Sequence, residues 1–498
     1  MGQKTVVKER VIPVPQVLEP RLRSQAPLRG RTPWFEGDVA PETVPEKYRL
    51  GRAYVPKTRY LDPEFLKLEL EKLFTRTWLM ACRTEELQKV GSFVEYEIAS
   101  HSILIVRTSK DSIRAYYNAC RHRGTRLACG RGRAGSFICP FHGWRWNLDG
   151  SVRLVLDREE FVPRSDDDLA LVQVRAEEWA GFVFITMDPG AMPLLDYLDP
   201  VPRIFAPFQL EHMRYRWMTG VLLPCNWKTA LDGFLEAYHV PGTHPQLFRP
   251  DKSNTHLATL KEIDNRIWSP TTTYERHAHY SSAGRKRSTA PADPAKDPAM
   301  RETNGVTDER LAVALAVQYI HEDMRGLENE RSWRAAEALK TADVPAGTSA
   351  GEYYLQLYRE LSLAEGYDWP VITRQQWAEA GTAWNVFPNT ILLPNQGSIF
   401  GYRARPYGLD PDRCLFEIFS LDQVPVADYG AARDFKPEFY EDYRDAGLGV
   451  VFNQDMANAK EVTVGMHSPS FDGHRLSEEQ EMTIYNHHRV ADRFLWTD

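Results

Sequence analysis

Cysteine is scarce in this chain, with six in 498 residues; two belong to the motifs described below, and the spacing of the other four suggests no pairing. A disulfide framework is therefore not expected, and a reducing, cytoplasmic setting suits the thiols. No apolar run approaches the roughly 18 residues needed to cross a bilayer. Charge of neither sign dominates: 61 Lys and Arg against 68 Asp and Glu leave a net charge of −7, without the basic footprint of a nucleic-acid binder. The start, Met1 to Arg31, is rich in proline and basic residues but lacks the apolar core of a secretory signal. It reads as a subunit-wrapping or disordered arm. No dinucleotide-binding unit is read either, so any NAD(P)H would act only indirectly. What remains is a chain with 43% apolar and 26% charged residues, long enough for two or three domains with sizeable cores.

Two short motifs dominate what is present. Cys120-Arg121-His122 and Cys139-Pro140-Phe141-His142 each offer one thiolate and one imidazole. Two cysteines on one iron and two histidines on the other are the ligands of a Rieske [2Fe–2S] centre. Zinc also accepts Cys₂His₂, but zinc fingers group the two cysteines and then the two histidines, whereas each pair here mixes the types. Gly124, Gly130, Gly132, Gly135 and Gly143 crowd the two loops and allow backbone amides close to sulfur. Cys129 lies between the pairs without a histidine at short spacing, and is expected to be a packed thiol.

A second constellation lies downstream. Asn226-Trp227-Lys228 is followed by Asp232-Gly233-Phe234-Leu235-Glu236-Ala237-Tyr238-His239 and then His244. Read as helix, Glu236 and His239 share a face. Pro241-Gly242 would break the helix and let His244 return to the same point. Two imidazoles beside carboxylates are the material of a 2-His-1-carboxylate iron site, which leaves positions open for O₂ and substrate.

The chain around these motifs has an α+β texture. Asp62-Pro63 is a helix start, and the helix is expected to run through Phe65, Leu66, Leu70, Leu73 and Phe74 toward Trp78. Short β-type runs follow at 93–98, 102–107, 113–118 and 179–186, with Asn147-Leu148-Asp149-Gly150 as a hairpin turn. Residues 281–307 read as an exposed polar loop. Amphipathic helices are expected at 308–325, 328–341 and 350–366, strands at 382–393, 398–405 and 414–421, and a last helical region at 436–464. The expected division is an arm at 1–50, a helix at 51–77 belonging to the second domain, an antiparallel β domain at 78–186 carrying the cluster, and a larger domain at 187–498 with an insertion at about 281–366.

On these motifs, together with Phe74-Thr75-Arg76-Thr77-Trp78, the chain resembles the catalytic α subunit of the Rieske non-haem iron oxygenases, the ring-hydroxylating oxygenase family. The resemblance implies a small antiparallel Rieske domain and a helix-grip-like catalytic domain, a [2Fe–2S] cluster on Cys120, His122, Cys139 and His142, and Fe(II) on His239, His244 and Asp455. Asp455 follows Gln454 and is followed by Glu461, in the register of the family's late ligand aspartate. Glu236 takes the place of the acid that joins a cluster histidine of one subunit, here His142, to an iron histidine of the next. Many members carry Asp there, and Glu belongs to a branch that includes oxygenases of quaternary amines. Gly233 stands where asparagine is frequent. The resemblance further implies O₂ as co-substrate, a separate reductase with or without a ferredoxin, and a homotrimer or α₃β₃ assembly. The leading expectation for the reaction is hydroxylation or dihydroxylation of an aromatic or other apolar organic molecule. The alternative is a monooxygenase or N-/O-demethylase of the Glu-bridged branch. A bare electron carrier would have no use for His239, His244 and Asp455.

Overall fold

A computed structural model describes residues 39–162, 164–236, 238–244, 272–273, 280–282, 308–381, 383–431, 435–478 and 480–497. Most of the expected arm and of the 281–307 loop lies outside these residues. The described end of the arm is not free: Val44 and Tyr48 are buried in the main core.

Asp62 caps helix α1 (Pro63–Leu68) by accepting the Glu64 N–H at 3.0 Å, as the Asp-Pro pair predicts. The helix continues as a wider π turn, Glu69–Phe74, and stops before Trp78. Next come β1 (Leu79–Arg83), β2 (Ser92–Ile98), β3 (His101–Ser109), β4 (Ser112–Tyr117), β5 (Arg131–Arg133), β6 (Phe137–Ile138), β7 (Arg145–Trp146), β8 (Val152–Leu154), β9 (Gln173–Trp179) and β10 (Phe182–Thr186). Seven of them form one sheet in the order β1-β10-β9-β4-β3-β2-β5, and β6-β7-β8 form a second, small sheet. Ile103, Ile105, Leu104 and Val106 on β3 are all buried, so both faces of this central strand are covered. The sequence does contain one Gly-x-Gly-x-x-Gly run, Gly130 to Gly135. It lies in and beside the edge strand β5, with no strand-to-helix turn, so it is not a dinucleotide fingerprint.

The second half is built on an eight-stranded sheet: β11 (Met213–Leu223), β12 (Thr272–Thr273), β13 (Tyr280–Ser282), β14 (Ala383–Val386), β15 (Thr390–Asn395), β16 (Ser398–Tyr407), β17 (Asp410–Gln423) and β18 (Glu438–Tyr440). Their order is β12-β13-β14-β15-β16-β17-β11-β18. Helices α2 (Trp227–Leu235), α6 (Val450–Met466) and α7 (Met482–Leu495) accompany it, and α3 (Glu309–Met324), α4 (Glu330–Leu339) and α5 (Ala350–Ala364) pack as a separate cluster around Ala335, Tyr354 and Tyr358. Two expectations are corrected here. The run at 382–393 is a hairpin of two strands, and the last helical region begins at Val450 rather than 436. Glu438–Tyr440 instead adds a parallel edge strand to β11, and Gly447 and Gly449, both at positive φ, separate it from the helix.

Buried arginines join the halves. Arg403 on β16 donates to the carbonyls of Met80 and Ala81 on β1, and pairs with Glu417 at 2.7 Å. Arg83 donates to the Met213 carbonyl at 2.7 Å, and Glu85 accepts the Tyr215 N–H at 3.0 Å. Burial alone would push the Glu417 carboxyl up, but the adjacent guanidinium groups of Arg403 and Arg405 bring it down to about 2.

Candidate metal centres

The cluster loops are two copies of one backbone knuckle. The Cys120 N–H donates to the Thr125 carbonyl and the Cys139 N–H to that of Trp144, both at 2.8 Å. Gly124 and Gly143 donate back to the carbonyls of Cys120 and Cys139 at 2.9 and 3.0 Å. Each of these glycines has φ above +70°, a conformation that a side chain would strain. Both thiols are buried, and the His122 N–H lies 3.4 Å from the Cys120 sulfur. Burial opposes ionisation of Cys139, yet the N–H groups of Phe141 and His142 outweigh it and lower the thiol pKa.

The imidazoles of His122 and His142 lie 4.6 Å apart, and His122 stacks on Trp144 at 4.9 Å. The Nδ1 atoms of both histidines are shielded from solvent without any hydrogen-bond partner. Two orphaned nitrogens beside two buried thiols fit an iron–sulfur cluster and leave little for an apolar-core reading. Cys129, in contrast, is exposed rather than packed. It lies just before the Gly130 turn, where the chain has already left the core.

The second site is assembled from distant segments. Asn226 caps α2 by accepting the Lys228 N–H, and its side-chain amide donates to the carbonyls of Tyr60 and Pro411. Lys228 reaches both oxygens of Glu69 at 2.7 and 2.8 Å, and the Trp227 ring N–H donates to the same carboxylate. The Asn-Trp-Lys motif is thus an anchor that fixes the start of α2 against the N-terminal helices. At its other end the helix stops at Leu235, whose carbonyl accepts the Thr483 hydroxyl.

Glu236 is extended, not helical, with φ −143°. Its contact with His239 therefore arises in a turn rather than along a helix face. Oε2 accepts the His239 backbone N–H at 2.9 Å, and Oε1 lies 2.6 Å from His239 Nδ1. A short helix, Val240–Thr243, then carries the chain round to His244. From α6, Gln454 Oε1 lies 2.9 Å from His244 Nδ1, and Asp455 Oδ1 lies 2.7 Å from His244 Nε2 and 3.6 Å from His239 Nε2. Each histidine thus has a carbonyl or carboxylate acceptor at Nδ1, which fixes the tautomer and turns the Nε2 lone pair toward Asp455. One ligand atom from each of His239, His244 and Asp455 lies within 4.8 Å of the others, a spacing that suits a single ion. Burial lowers the His239 pKa, but the hydrogen bond and charge of Glu236, with Asp455 behind it, raise it overall.

A cavity of about 500 Å³ opens onto His239 and Asp455. Leu223, Phe234, Phe416 and Met456 supply apolar walls, and Asp232, Glu236, Glu461 and Glu481 supply carboxylates. No Lys or Arg lines it among the described residues. Nothing lies within 4 Å of a Cβ built on Gly233, so the missing asparagine leaves open space. The sequence motifs identify neither Gln454 as partner to His244 nor Asn458, whose amide donates to Thr243 at 2.8 Å and ties α6 to the histidine loop. Its adjacency to Asp455 is the one sequence signal that marks Gln454.

An antiparallel domain with paired Cys–His knuckles, joined to a sheet-and-helix domain with a His₂–carboxylate site, defines a class of iron oxidoreductase. Residues 77–164 match the Rieske [2Fe-2S] domain, and residues 203–496, more than half of the chain, match the ring hydroxylating alpha subunit (catalytic domain). The chain belongs to the ring-hydroxylating oxygenase α-subunit family, whose cofactors are a Rieske cluster and a mononuclear iron.

Among curated proteins it is 35% identical over 194 residues to the carnitine monooxygenase oxygenase subunit of Escherichia coli (strain K12), covering 38% of this chain and 52% of that one. It is 27% identical over 197 residues to the glycine betaine monooxygenase oxygenase subunit of Pseudomonas aeruginosa (strain UCBPP-PA14), covering 39% and 46%. The alignments therefore span about half the length of these relatives. Among solved structures, the quaternary ammonium Rieske monooxygenase CntA with L-carnitine has a TM-score of 0.55 at 18% identity, covering 88% of this chain and 95% of that one. Naphthalene 1,2-dioxygenase from Rhodococcus sp. has a TM-score of 0.57 at 17%, covering 89% and 94%. At such identities these structures bear on the fold alone.

Proposed function

We propose that the protein is the terminal component of a Rieske monooxygenase that oxidises a small organic cation, a quaternary ammonium compound being the best-fitting class. The observation carrying this reading is the cavity beside His239 and Asp455, edged by the carboxylates of Glu236, Glu461 and Glu481 and free of lysine and arginine among its described lining. Carboxylates in a partly desolvated pocket, with the rings of Phe234 and Phe416 beside them, attract a cation that cannot be neutralised by proton loss. The kinship with carnitine and glycine betaine monooxygenase subunits supports it. Hydroxylation of an aromatic or other apolar compound, the leading expectation from sequence, gives such a lining no role.

In this reading Cys120, His122, Cys139 and His142 hold the cluster, and His239, His244 and Asp455 hold the iron. When bound, the two groups supply one-electron transfer and O₂ activation. The chain supplies the rest. Glu236 orients His239 through Nδ1 and offers the neighbouring subunit's His142 a carboxylate, Gln454 orients His244, and the apolar walls exclude water. The cluster domain is taken as 78–186 and the catalytic domain as 51–77 with 187–498. A separate reductase, directly or through a ferredoxin, would deliver electrons from NAD(P)H in the cytoplasm, and subunits would assemble in threes so that one chain's cluster meets the next chain's iron.

The test is a substrate screen with a surrogate reductase, scoring product against peroxide for quaternary ammonium compounds and for neutral isosteres of the same shape. Coupled turnover of the cations is expected. Coupled turnover of the neutral compounds, with the cations inert, would overturn the reading.

A further inference from the structure

We propose that Asp232 stores a proton at the wall of the cavity and releases it into the cavity during turnover, with Tyr60 and His488 as positioning residues. This rests on the oxygenase reading above. Asp232 lines the cavity that His239 and Asp455 also line. Behind it, Tyr60 Oη lies 2.8 Å from Asp232 Oδ2 and 2.9 Å from His488 Nε2, and both Tyr60 and His488 are buried.

A phenol has one proton to give. With Asp232 ionised, Tyr60 donates to Oδ2 and His488 Nε2–H donates to Tyr60. With Asp232 protonated, either the same chain persists with the acid proton on Oδ1, or the chain reverses, with Asp232 donating to Tyr60 and Tyr60 to Nε2 of the His488 Nδ1–H tautomer. Every member stays hydrogen-bonded in both charge states, which an ion pair would not allow.

The surrounding charges agree. Lys228, on the same helix, is committed to Glu69, and Arg59, next to Tyr60, to Asp492. Glu236 and Glu481 face Asp232 with like charge, and His474, whose ring packs on Tyr60 at 4.6 Å, is held neutral by burial, which lowers it to about 4. Burial first, and then these two carboxylates, outweigh Tyr60 and Lys228 and lift the Asp232 carboxyl to about 7.

The reaction consumes two protons: RH + O₂ + 2 e⁻ + 2 H⁺ gives ROH + H₂O. The electrons come from the reductase. Asp232 supplies one proton, becomes a carboxylate, and is reprotonated from solvent through the cavity before the next cycle.

The test uses the reconstituted holoenzyme. Difference infrared spectroscopy should find a protonated-carboxyl band that titrates at about 7 and is absent in Asp232→Asn. Tyr60→Phe should keep the band and move its midpoint upward, because a donor to the carboxylate is lost. Product formed in a single turnover should slow as pH rises through the same midpoint, and Asp232→Asn should slow it ~100-fold and flatten the profile. A spectrum identical in wild type and Asp232→Asn, or an unchanged single-turnover rate, overturns the inference. Should Asp232→Asn not fold, an unmoved midpoint in Tyr60→Phe does so instead. Failure of the oxygenase reading would appear separately, as wild-type enzyme that makes peroxide and no product with every substrate.

Discussion

The two candidate metal-binding regions are built by opposite strategies. The cluster loops are local: each Cys–His pair closes its own knuckle through bonds between backbone groups five residues or fewer apart, and Gly124 and Gly143 permit the turn. The proposed iron site is non-local. Its two histidines sit after α2, and the residues that orient and complete it, Gln454 and Asp455, arrive on α6 more than 200 positions later. A local site keeps its geometry as long as its own loops hold. A composite site depends on how two helices are held, which explains the anchoring of α2 by Asn226, Trp227 and Lys228 at one end and by Thr483 at the other.

The largest expected effect breaks the two sites apart. Asp455→Ala should remove mononuclear iron and all turnover while the visible spectrum of the cluster persists. Cys139→Ser should remove the cluster spectrum, and turnover with it, while mononuclear iron remains, and metal analysis beside absorbance distinguishes the two. Loss of both centres in either variant would show that the sites are not independent.

Next is the buried seam between the halves. Glu417→Ala leaves Arg403 and Arg405 without their carboxylate and should cost about 3–5 kcal/mol in denaturant unfolding. Because the folded Glu417 pKa lies below its ordinary value of 4.5, its contribution is complete above that pH and is lost as pH falls toward about 2. Acid unfolding of wild type and Glu417→Gln should therefore converge across that window.

A smaller effect sharpens the comparison at the iron. Glu236→Gln should retain both metals but slow cluster-to-iron electron transfer by ~10–100-fold, read by stopped-flow absorbance. Gln454→Ala, which frees His244 Nδ1, should weaken iron binding by ~10-fold and leave the cluster spectrum untouched. Gly233→Asn is the mildest. It fills open space in the cavity wall and should raise KM for bulky substrates without altering metal content.

The legibility of the chain follows the same division. Asp62-Pro63 announces a helix because capping is a matter of adjacent residues, and the Cys–His pairs are legible as a candidate cluster site because all four donors lie within 23 positions. Helix periodicity puts Glu236 and His239 on one face, but Glu236 is extended and a turn makes the contact. The stretch from 436 to Val450 is expected to be helical, but Glu438–Tyr440 pairs with β11, and such pairing overrides local preference. Cys129 is expected to be a packed thiol and is exposed, because nothing in a single sequence reports which side of a loop faces water.

Sequence by itself determined the donor types, the knuckles and their glycines, and the acid preceding His239, since these rest on bonds between near neighbours. Only the tertiary structure decided that Gln454 orients His244, that Asp232 reaches both the cavity and Tyr60, and that the cavity wall is acidic. Those facts depend on packing α2 against α6, α7 and the N-terminal helices, where residues hundreds of positions apart are brought together by burial that no local pattern encodes.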